Sequence, residues 1–328
     1  MKYVNISHTD LTPSRLCLGT GRFGTVISQP DAFALLDAFV AKGGNFIDTA
    51  HVYANWIPGA PKSASEKTIG AWLKATGNRR RVVLATKGGH PDLSTMHIPR
   101  LSKADIGQDI DESLVHLQTS FIDLYWLHRD APGVPVADLI ETLNEQVRRG
   151  KIRYFGCSNW SVERIAAANA YAKQNNLQGF VASQPWWSLA HPNQAALSDP
   201  ENLVVFGPDE QNFHRQTDLA VIPYSAQGKG FFSKLERLGA TGLSQTDRDH
   251  FFNETNAGRW PRVKKLAEKH QVPASHIVLS YLTSQPFVTI PIVGCRTIEQ
   301  LQDSIVAVDL VLTPDDLSFL TPSTPEEL

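Results

Sequence analysis

Cysteine is scarce in this 328-residue chain, which contains only Cys17, Cys157 and Cys295. The three residues are odd in number and far apart, and none belongs to a Cys-x-x-Cys pair, so the sequence argues against a disulfide framework and against a zinc site. Long apolar runs are also missing, because no stretch approaches the roughly 18 consecutive apolar residues of a membrane-spanning helix. The first residues, 1–5, lack the apolar core of a secretion signal. We therefore expect a cytoplasmic protein with no metal and no membrane partner.

No excess of charge of either sign is present, since 31 Lys and Arg residues face 33 Asp and Glu residues and the formal net charge is −2. The charges are spread along the chain, which gives no indication of a nucleic-acid partner or an anionic membrane surface. A linker rich in Ser, Pro or Gly and a low-complexity tract are likewise missing. With 42% hydrophobic residues, the chain can bury a large core, and we expect one domain over residues 1–328.

What the chain does have is a regular alternation of short apolar runs and amphipathic segments. The apolar runs predict eight strands, at 15–19, 45–48, 82–86, 122–127, 152–156, 180–183, 220–223 and 288–292. The segments between them predict helices, among them 31–42, 65–75, 102–117, 136–149, 161–174, 260–270 and 277–283, with Ser161 and Ser275 as N-caps. This alternation predicts a (β/α)8 TIM barrel with a parallel sheet. A doubly wound sheet is the alternative, but the early strand–helix turns lack the Gly-x-Gly-x-x-Gly pattern of that fold.

Two segments interrupt the alternation. Residues 2–12 precede the first strand, and we predict that they form an N-terminal β-hairpin across the bottom of the barrel. Residues 186–213 make a long connection that contains Pro192, Pro200, Gly207 and Pro208. Connections of that length are usually functional or disordered, and we predict a long substrate loop.

Four polar residues of different chemistry come just after predicted strands: Asp48, Tyr53, Lys87 and His128. Each alone has an ordinary interpretation as a helix cap, a core tyrosine, a solvated lysine or a structural histidine. The carboxyl ends of barrel strands, however, are where such enzymes keep their chemistry. Together the four supply a proton donor, a cation that lowers its pKa, an anion that pairs with the cation, and an imidazole. We predict that they form a catalytic site in which Tyr53 is the general acid.

These positions lie in segments that closely resemble the aldo-keto reductase family. The segments are GNFIDTAHVY at 44–53, ATKGG at 85–89, LHRDAP at 127–132 and GKIRYFGCSNW at 150–160, and the resemblance runs from about Leu16 to about Val308. It implies an eight-stranded α/β barrel that binds a nicotinamide cofactor, NADP(H), in an extended pose. By motif position it implies that Tyr53 is the acid/base and that Asp48, Lys87 and His128 complete a tetrad.

The resemblance further implies a cofactor site on the remaining strand ends. Ser158, Asn159 and Gln184 would hold the nicotinamide carboxamide, and Tyr224 would stack on its ring. Ser225-Ala226-Gln227-Gly228-Lys229-Gly230 would approach the pyrophosphate, although this loop departs from the family's commoner Pro-Leu after the serine. The full predicted cofactor set is Gly21, Ser158, Asn159, Gln184, Tyr224, Ser225, Ala226, Gln227, Gly228, Lys229, Gly294, Arg296, Gln300 and Ser304.

Arg296 is the predicted reader of a 2′-phosphate, because a guanidinium can fork onto phosphate oxygens. Gln300 and Ser304 would meet the adenosine end. A solvated start of a helix is the alternative interpretation of this segment.

Aromatic residues near the strand ends predict the substrate wall. Trp56 and Trp187 offer apolar faces suited to a small carbonyl compound or a sugar-like ring, and His191 adds a polar contact. The expected activity is NADPH-dependent reduction of an aldehyde or ketone, with a small-molecule carbonyl or alcohol as partner. Two alternatives are a cofactor-sensing regulatory subunit and a lyase that forms a Schiff base at Lys87.

Overall fold

A computed structural model describes residues 1–321, so the last seven residues of the domain predicted over 1–328 lie outside the described part. Eight strands form one parallel sheet in the order β7-β6-β5-β4-β3-β2-β1-β8. The strands are β1 (Cys17–Gly19), β2 (Phe46–Asp48), β3 (Val83–Gly88), β4 (Ile122–Leu127), β5 (Ile152–Ser158), β6 (Ala182–Gln184), β7 (Ala220–Val221) and β8 (Ile292–Val293). Every neighbouring pair is parallel, so all the carboxyl ends lie at one edge of the curled sheet.

The last strand is shorter than predicted and shifted along the chain. The predicted strand covered 288–292, whereas β8 is Ile292–Val293. Residues 288–290 still bond to β7, since Val221 N donates to Val288 O at 2.8 Å and Ile290 N donates to Val221 O at 2.9 Å. Pro291 has no N–H to give to a ladder, which explains why the regular strand begins only after it.

Helices follow the strands in alternation. They are α1 (Gln29–Ala41), α2 (Ala64–Thr76), α3 (Lys103–Leu117), α4 (Val136–Arg148), α5 (Val162–Gln174), α6 (Pro208–Gln216), α7 (Phe231–Leu238), α8 (Gln245–Phe251), α9 (Glu254–His270), α10 (Ala274–Thr283), α11 (Ile298–Ala307) and α12 (Pro314–Leu320). None of the helices within residues 1–321 is both long enough and apolar enough to cross a membrane.

The two predicted N-caps differ in outcome. Ser161 caps α5, where its side chain accepts from Arg164 N. The prediction for Ser275 was wrong, because α10 begins at Ala274, after Pro273, and Ser275 therefore lies inside the helix. Its Oγ donates instead to Asp303 Oδ2 at 3.0 Å. A serine that finds a carboxylate on a neighbouring helix no longer needs to cap its own.

The N-terminal segment crosses the bottom of the sheet as an antiparallel pair. Val4 N donates to Pro13 O at 3.0 Å and Arg15 N donates to Lys2 O at 2.9 Å. Ile6 and Leu11 are buried in the cluster of side chains that fills the inside of the curled sheet. The segment therefore closes the end opposite to the strands' carboxyl ends.

The long connection after β6 ends earlier than predicted. Residues 208–213 belong to α6, which starts with Pro208 at a position where the missing N–H costs nothing. Glu210 Oε2 accepts from Gly207 N at 2.8 Å and fixes this start. The irregular part is thus 185–207. It is tied down at one end by Asn193 N, which donates to His250 O at 2.7 Å, and at the other by Phe206 N, which donates to Trp186 O at 2.9 Å.

Candidate active site

The buried ammonium group of Lys87 organises the carboxyl ends of β2 and β3. Its Nζ donates to Asp48 Oδ2 at 2.5 Å, to Thr49 O at 2.7 Å and to Tyr53 Oη at 3.0 Å. Register explains the meeting, because Asp48 pairs with Ala85 and leaves Lys87 just beyond the end of β2. Both Lys87 and Asp48 are 1% exposed. All three protons of the ammonium group therefore have protein acceptors.

Burial governs the ionisation of this group of residues. Burial lowers the pKa of Lys87, but the Asp48 carboxylate and the Tyr53 phenol outweigh that effect and raise it. Lys87 therefore stays charged. Burial raises the pKa of Tyr53, and Lys87 offsets only part of the rise. The prediction that Lys87 brings this pKa below its ordinary value is thus wrong for the ligand-free protein, in which Tyr53 is a protonated phenol.

His128 lies beside the phenol as a neutral imidazole, with its ring nearly perpendicular to that of Tyr53. Its ring centroid is 5.9 Å from that of Tyr53 and 4.9 Å from that of His90. Burial lowers its pKa well below the ordinary value, and the charges of His90, Arg129 and Lys87 lower it further. A neutral imidazole can donate one hydrogen bond to a carbonyl oxygen without adding a charge.

A chain of hydrogen bonds joins the tetrad to the predicted nicotinamide residues. Gln184 Nε2 donates to Asp48 Oδ1 at 3.1 Å, and Ser158 Oγ donates to Gln184 O at 2.8 Å. Asn159 Nδ2 donates to Ser158 Oγ at 3.0 Å, and Tyr224 Oη donates to Asn159 Oδ1 at 2.8 Å. Asn159 has a φ of 60°, a conformation that asparagine tolerates better than most residues. These four predicted residues therefore form one connected surface beside the tetrad.

The loop after β7 turns sharply through left-handed backbone. Ser225, Gly228, Lys229 and Gly230 all have positive φ, of 56°, 52°, 51° and 77°. Gly228 N donates to Ser225 O at 2.7 Å, and Gly230 N donates to Gln227 O at 2.9 Å. Ala226 is buried while Lys229 is exposed. The turn thus presents the Lys229 ammonium group outward and holds Ala226 in the core.

Three cations from distant segments meet near this loop. Burial and then the charge of Arg296 lower the pKa of Arg22, and burial and then the charge of Arg22 lower the pKa of Lys229. Arg22 directly follows Gly21, where an added Cβ would lie 3.6 Å from the Tyr53 ring. The sequence analysis missed Arg22, although a basic residue three positions after a strand end was a usable signal.

The predicted adenosine-end residues divide into two groups. Arg296 and Gln300 are exposed, and Gln300 Oε1 accepts from Arg296 N at 2.9 Å at the start of α11. An added Cβ at Gly294 would meet nothing within 4 Å, so the backbone there is open to a ligand. Ser304 is buried, and its Oγ donates to Gln300 O at 2.9 Å. Its hydroxyl is engaged by its own helix, so its contacts do not support the predicted role.

The three predicted substrate residues lie in different surroundings. Trp56 is 51% exposed and its ring lies edge-on to Tyr53 at 5.9 Å, as a pocket wall should. Trp187 instead stacks on Phe206 at 3.9 Å inside the core. The backbone of His191 is held by α9, since His191 N donates to Asn256 Oδ1 at 2.9 Å. Neither Trp187 nor His191 has a described contact with the tetrad, so their predicted substrate role is not supported.

Trp186, which was not predicted as a site residue, lies nearer the cofactor surface than Trp187. Its ring is 5.6 Å from that of Tyr224. Trp186 lies beyond the end of β6 at Gln184 but still forms parallel bridges with Tyr224 and Val205, and the sequence alone did not show which of the two tryptophans makes these contacts.

The family model described as "Aldo/keto reductase family" matches residues 15–321. The chain belongs to the aldo/keto reductase family. This agrees with the resemblance at the four sequence segments and makes the protein one of a family of oxidoreductases that act on small-molecule carbonyl compounds with a nicotinamide cofactor.

Several curated relatives cover nearly all of this aldo/keto reductase. The uncharacterized oxidoreductase YrpG of Bacillus subtilis is 30% identical, over 98% of this chain and 95% of its own. Norsolorinic acid reductase stcV of Emericella nidulans is 27% identical, over 95% of this chain and 78% of its own. The crystal structure of the thermostable aldo-keto reductase Tm1743 with the inhibitor epalrestat covers 98% of both chains with a TM-score of 0.71 and 23% identity. That last likeness concerns the fold alone.

Proposed function

We propose that this protein is an NADPH-dependent carbonyl reductase in which Tyr53 donates the proton to the substrate oxygen. The observation that carries the proposal is the position of the Tyr53 hydroxyl, which accepts from Lys87 Nζ at 3.0 Å while Lys87 also binds Asp48. We also propose that the sheet closes into a (β/α)8 barrel. In support, Ile292 N donates to Pro223 O at 2.9 Å, which joins β8 to the chain just beyond β7.

The residues present fit a dinucleotide with an additional phosphate. Gly294 leaves room for close approach to the backbone, and Gly21 lies against the Tyr53 ring, while Arg22, Lys229 and Arg296 supply positive charge. Arg296 also precedes α11, whose first N–H groups favour an anion. Ser158, Asn159 and Gln184 would hold the carboxamide, and Tyr224 would lie against the ring. NADPH, when bound, supplies the hydride.

The chain's own side chains account for the proton. A tyrosine is protonated at neutral pH because its ordinary pKa is about 10, and burial raises the pKa of Tyr53 further. Tyr53 therefore carries the proton that a reduced carbonyl oxygen needs. Lys87 lowers the cost of the phenolate that remains after transfer, because the ammonium group already touches that oxygen. His128, neutral, can donate to the carbonyl oxygen and orient it.

The lyase alternative is disfavoured by the same geometry. A Schiff-base lysine must be neutral to attack a carbonyl carbon, whereas Asp48 and Tyr53 raise the pKa of Lys87 and occupy its protons together with Thr49 O. A regulatory subunit that binds the cofactor but turns over slowly would share this site, and activity measurements distinguish it from an enzyme.

The proposal is tested by Tyr53→Phe, which removes only the hydroxyl. Turnover of an aldehyde with NADPH should fall by roughly 10²–10⁴, the usual contribution of a positioned acid, while NADPH binding measured by fluorescence should be retained. Tyr171→Phe is the matched control, because Tyr171 is on α5 and its hydroxyl contacts only Glu141 among the described residues. Full turnover in Tyr53→Phe would exclude the proposed mechanism.

A further inference from the structure

Arg129 directly follows His128 at the carboxyl end of β4 and is held in an unusual way. Its side chain is only 14% exposed. Among residues 1–321, its buried Nε has no hydrogen-bond partner, and Nη1 makes one long bond to His128 O at 3.4 Å. Leaving a buried charged donor unpaired is costly. The unused donor of this guanidinium is therefore available to a ligand.

A neighbouring arginine shows what a structural role looks like. Arg164, on α5, binds Asp130 through Nε at 2.9 Å and Nη2 at 2.8 Å, and its Nη2 also reaches Ala131 O and Val134 O. The Nε and Nη2 donors of Arg164 therefore both have partners within the protein. Arg129, two residues beyond the end of β4, has no comparable hydrogen-bonded carboxylate among residues 1–321.

One carboxylate faces Arg129 without bonding it. Asp199 Oδ2 lies 3.6 Å from Arg129 Nε, which is an ion pair but too long for a hydrogen bond. Asp199 is in the irregular connection 185–207, between its anchors at Asn193 and Phe206. Its other oxygen accepts from Asn202 Nδ2 at 2.8 Å within a local turn. The carboxylate is thus carried by the segment that covers the strand ends, not by the barrel.

The charge of Arg129 acts on the reaction centre. Burial raises the pKa of Tyr53 and Arg129 counteracts this, while burial lowers the pKa of His128 and Arg129 lowers it further. Asp199 in turn opposes the fall in the pKa of His90, which burial dominates. Arg129 directly follows His128, and Asp199 lies 3.6 Å from Arg129 Nε. Both charges therefore lie beside the predicted carbonyl position, one just beyond β4 and one on the connection 185–207.

We propose that Arg129 binds the carboxylate of an anionic carbonyl substrate, and that Asp199 occupies the place of that carboxylate in the ligand-free protein. The inference rests on the proposed function and names its substrate class: aldehydes or ketones that carry a carboxylate. Nε and a terminal nitrogen of one guanidinium can bind both oxygens of a carboxylate. Asp199, at 3.6 Å, satisfies neither bond fully and is displaced at low cost.

The test compares 4-carboxybenzaldehyde with its methyl ester, which lacks the negative charge and carries one additional methyl group. With wild-type protein and NADPH, kcat/KM for the acid should exceed that for the ester. In Arg129→Gln the ratio of acid to ester should fall by about 10- to 100-fold, the scale of a lost hydrogen bond to a charged group. In Asp199→Asn the KM of the acid should fall, because its competitor for Arg129 is gone. Arg80→Gln, at an exposed arginine beside the opposite end of the sheet, is the control and should leave the ratio unchanged.

Binding of benzoate in the presence of NADP⁺, measured by calorimetry, gives a readout that needs no turnover. Benzoate should bind at least 10-fold more weakly to Arg129→Gln and more tightly to Asp199→Asn. The anion-site proposal is wrong if benzoate binds equally well to wild type and Arg129→Gln. It is also wrong if Arg129→Gln leaves the acid-to-ester ratio of kcat/KM unchanged. If neither aldehyde is reduced, the proposed function fails, and the benzoate titration still decides the anion site.

Discussion

Replacing Asp48 by Asn should destabilise the protein and inactivate it for separate reasons. The substitution keeps the size of the side chain but leaves the Lys87 ammonium group buried without its counter-ion. Thr49 O, Tyr53 Oη and the uncharged amide oxygen of the replacement would be the acceptors left for Lys87, and at 1% exposure no solvent compensates for the lost negative charge. Breaking a buried pair in this way costs about 3–5 kcal/mol. We expect a loss of that size in the free energy of unfolding, measured by urea denaturation.

The double variant Asp48→Asn with Lys87→Met separates stability from chemistry. It removes both charges, so most of the lost stability should return, because a buried ion pair replaced by uncharged groups of similar volume is often close to neutral. Turnover should not return, since Tyr53 then lacks the cation at its hydroxyl. Asp309→Asn is the surface control, because Asp309 is 57% exposed in its pair with Lys2, and pairs of that kind contribute about 0–1 kcal/mol.

Two results would refute this reasoning. If Asp48→Asn lowers the free energy of unfolding by less than about 1 kcal/mol, the Asp48–Lys87 pair behaves like an exposed ion pair, which its burial does not predict. A double variant no more stable than Asp48→Asn would mean that the carboxylate stabilises the fold through Gln184, whose Nε2 donates to Asp48 Oδ1 at 3.1 Å, and not through the lysine.

Three further measurements follow from the structure. Burial lowers the pKa of His214 to about 4 from an ordinary value of about 6.5. The buried neutral ring therefore makes its full contribution to the free energy of unfolding above about pH 6.5, and that contribution is lost as the pH falls toward 4. At about 1.4 kcal/mol per pH unit, the free energy of unfolding should decrease by about 3 kcal/mol over this range. His214→Gln should make that decrease smaller, and an unchanged pH dependence in this variant would contradict the explanation. Trp187→Ala should lower the unfolding free energy by about 3–5 kcal/mol because the ring stacks on Phe206, while a changed substrate preference without that loss would restore the pocket-wall role. Arg296→Ala should weaken NADPH binding by about 2–3 kcal/mol and scarcely affect NADH, whereas equal losses would place Arg296 on another part of the cofactor.

The tetrad was predictable because each member stands just after an apolar run. Parallel strands bring such positions to one edge whatever the helices between them do, so Asp48, Lys87 and His128 lie at the same edge although 79 residues separate the first from the last. The bounds of β8 were less predictable, since the apolar run continued through Pro291 while the ladder did not. The start of β8 therefore depends on which residues have a backbone N–H to donate, and hydropathy alone does not identify it.

Polar side chains outside the strands were harder to predict, because their partners come from remote segments. Ser304 was placed at the cofactor by its position after β8, but the carbonyl of Gln300 one turn earlier takes its hydroxyl. Arg22 was overlooked because its significance depends on Arg296 and Lys229, which the fold brings beside it from more than 200 residues away.

Arg129 and Arg164 illustrate the same limit in the reaction site itself. Nothing in the local sequence tells which of them is neutralised: each belongs to a strand-end or helix-start segment, and Asp130 lies next to Arg129 in sequence yet pairs with Arg164. Asp130 Oδ1 and Oδ2 accept from the Arg164 guanidinium on α5, so the carboxylate nearest to Arg129 in sequence is already occupied. The Arg129 guanidinium faces Asp199 instead, with Nε 3.6 Å from Oδ2. Its charge favours a lower pKa for both Tyr53 and His128, and it lies directly after the residue that supplies the imidazole.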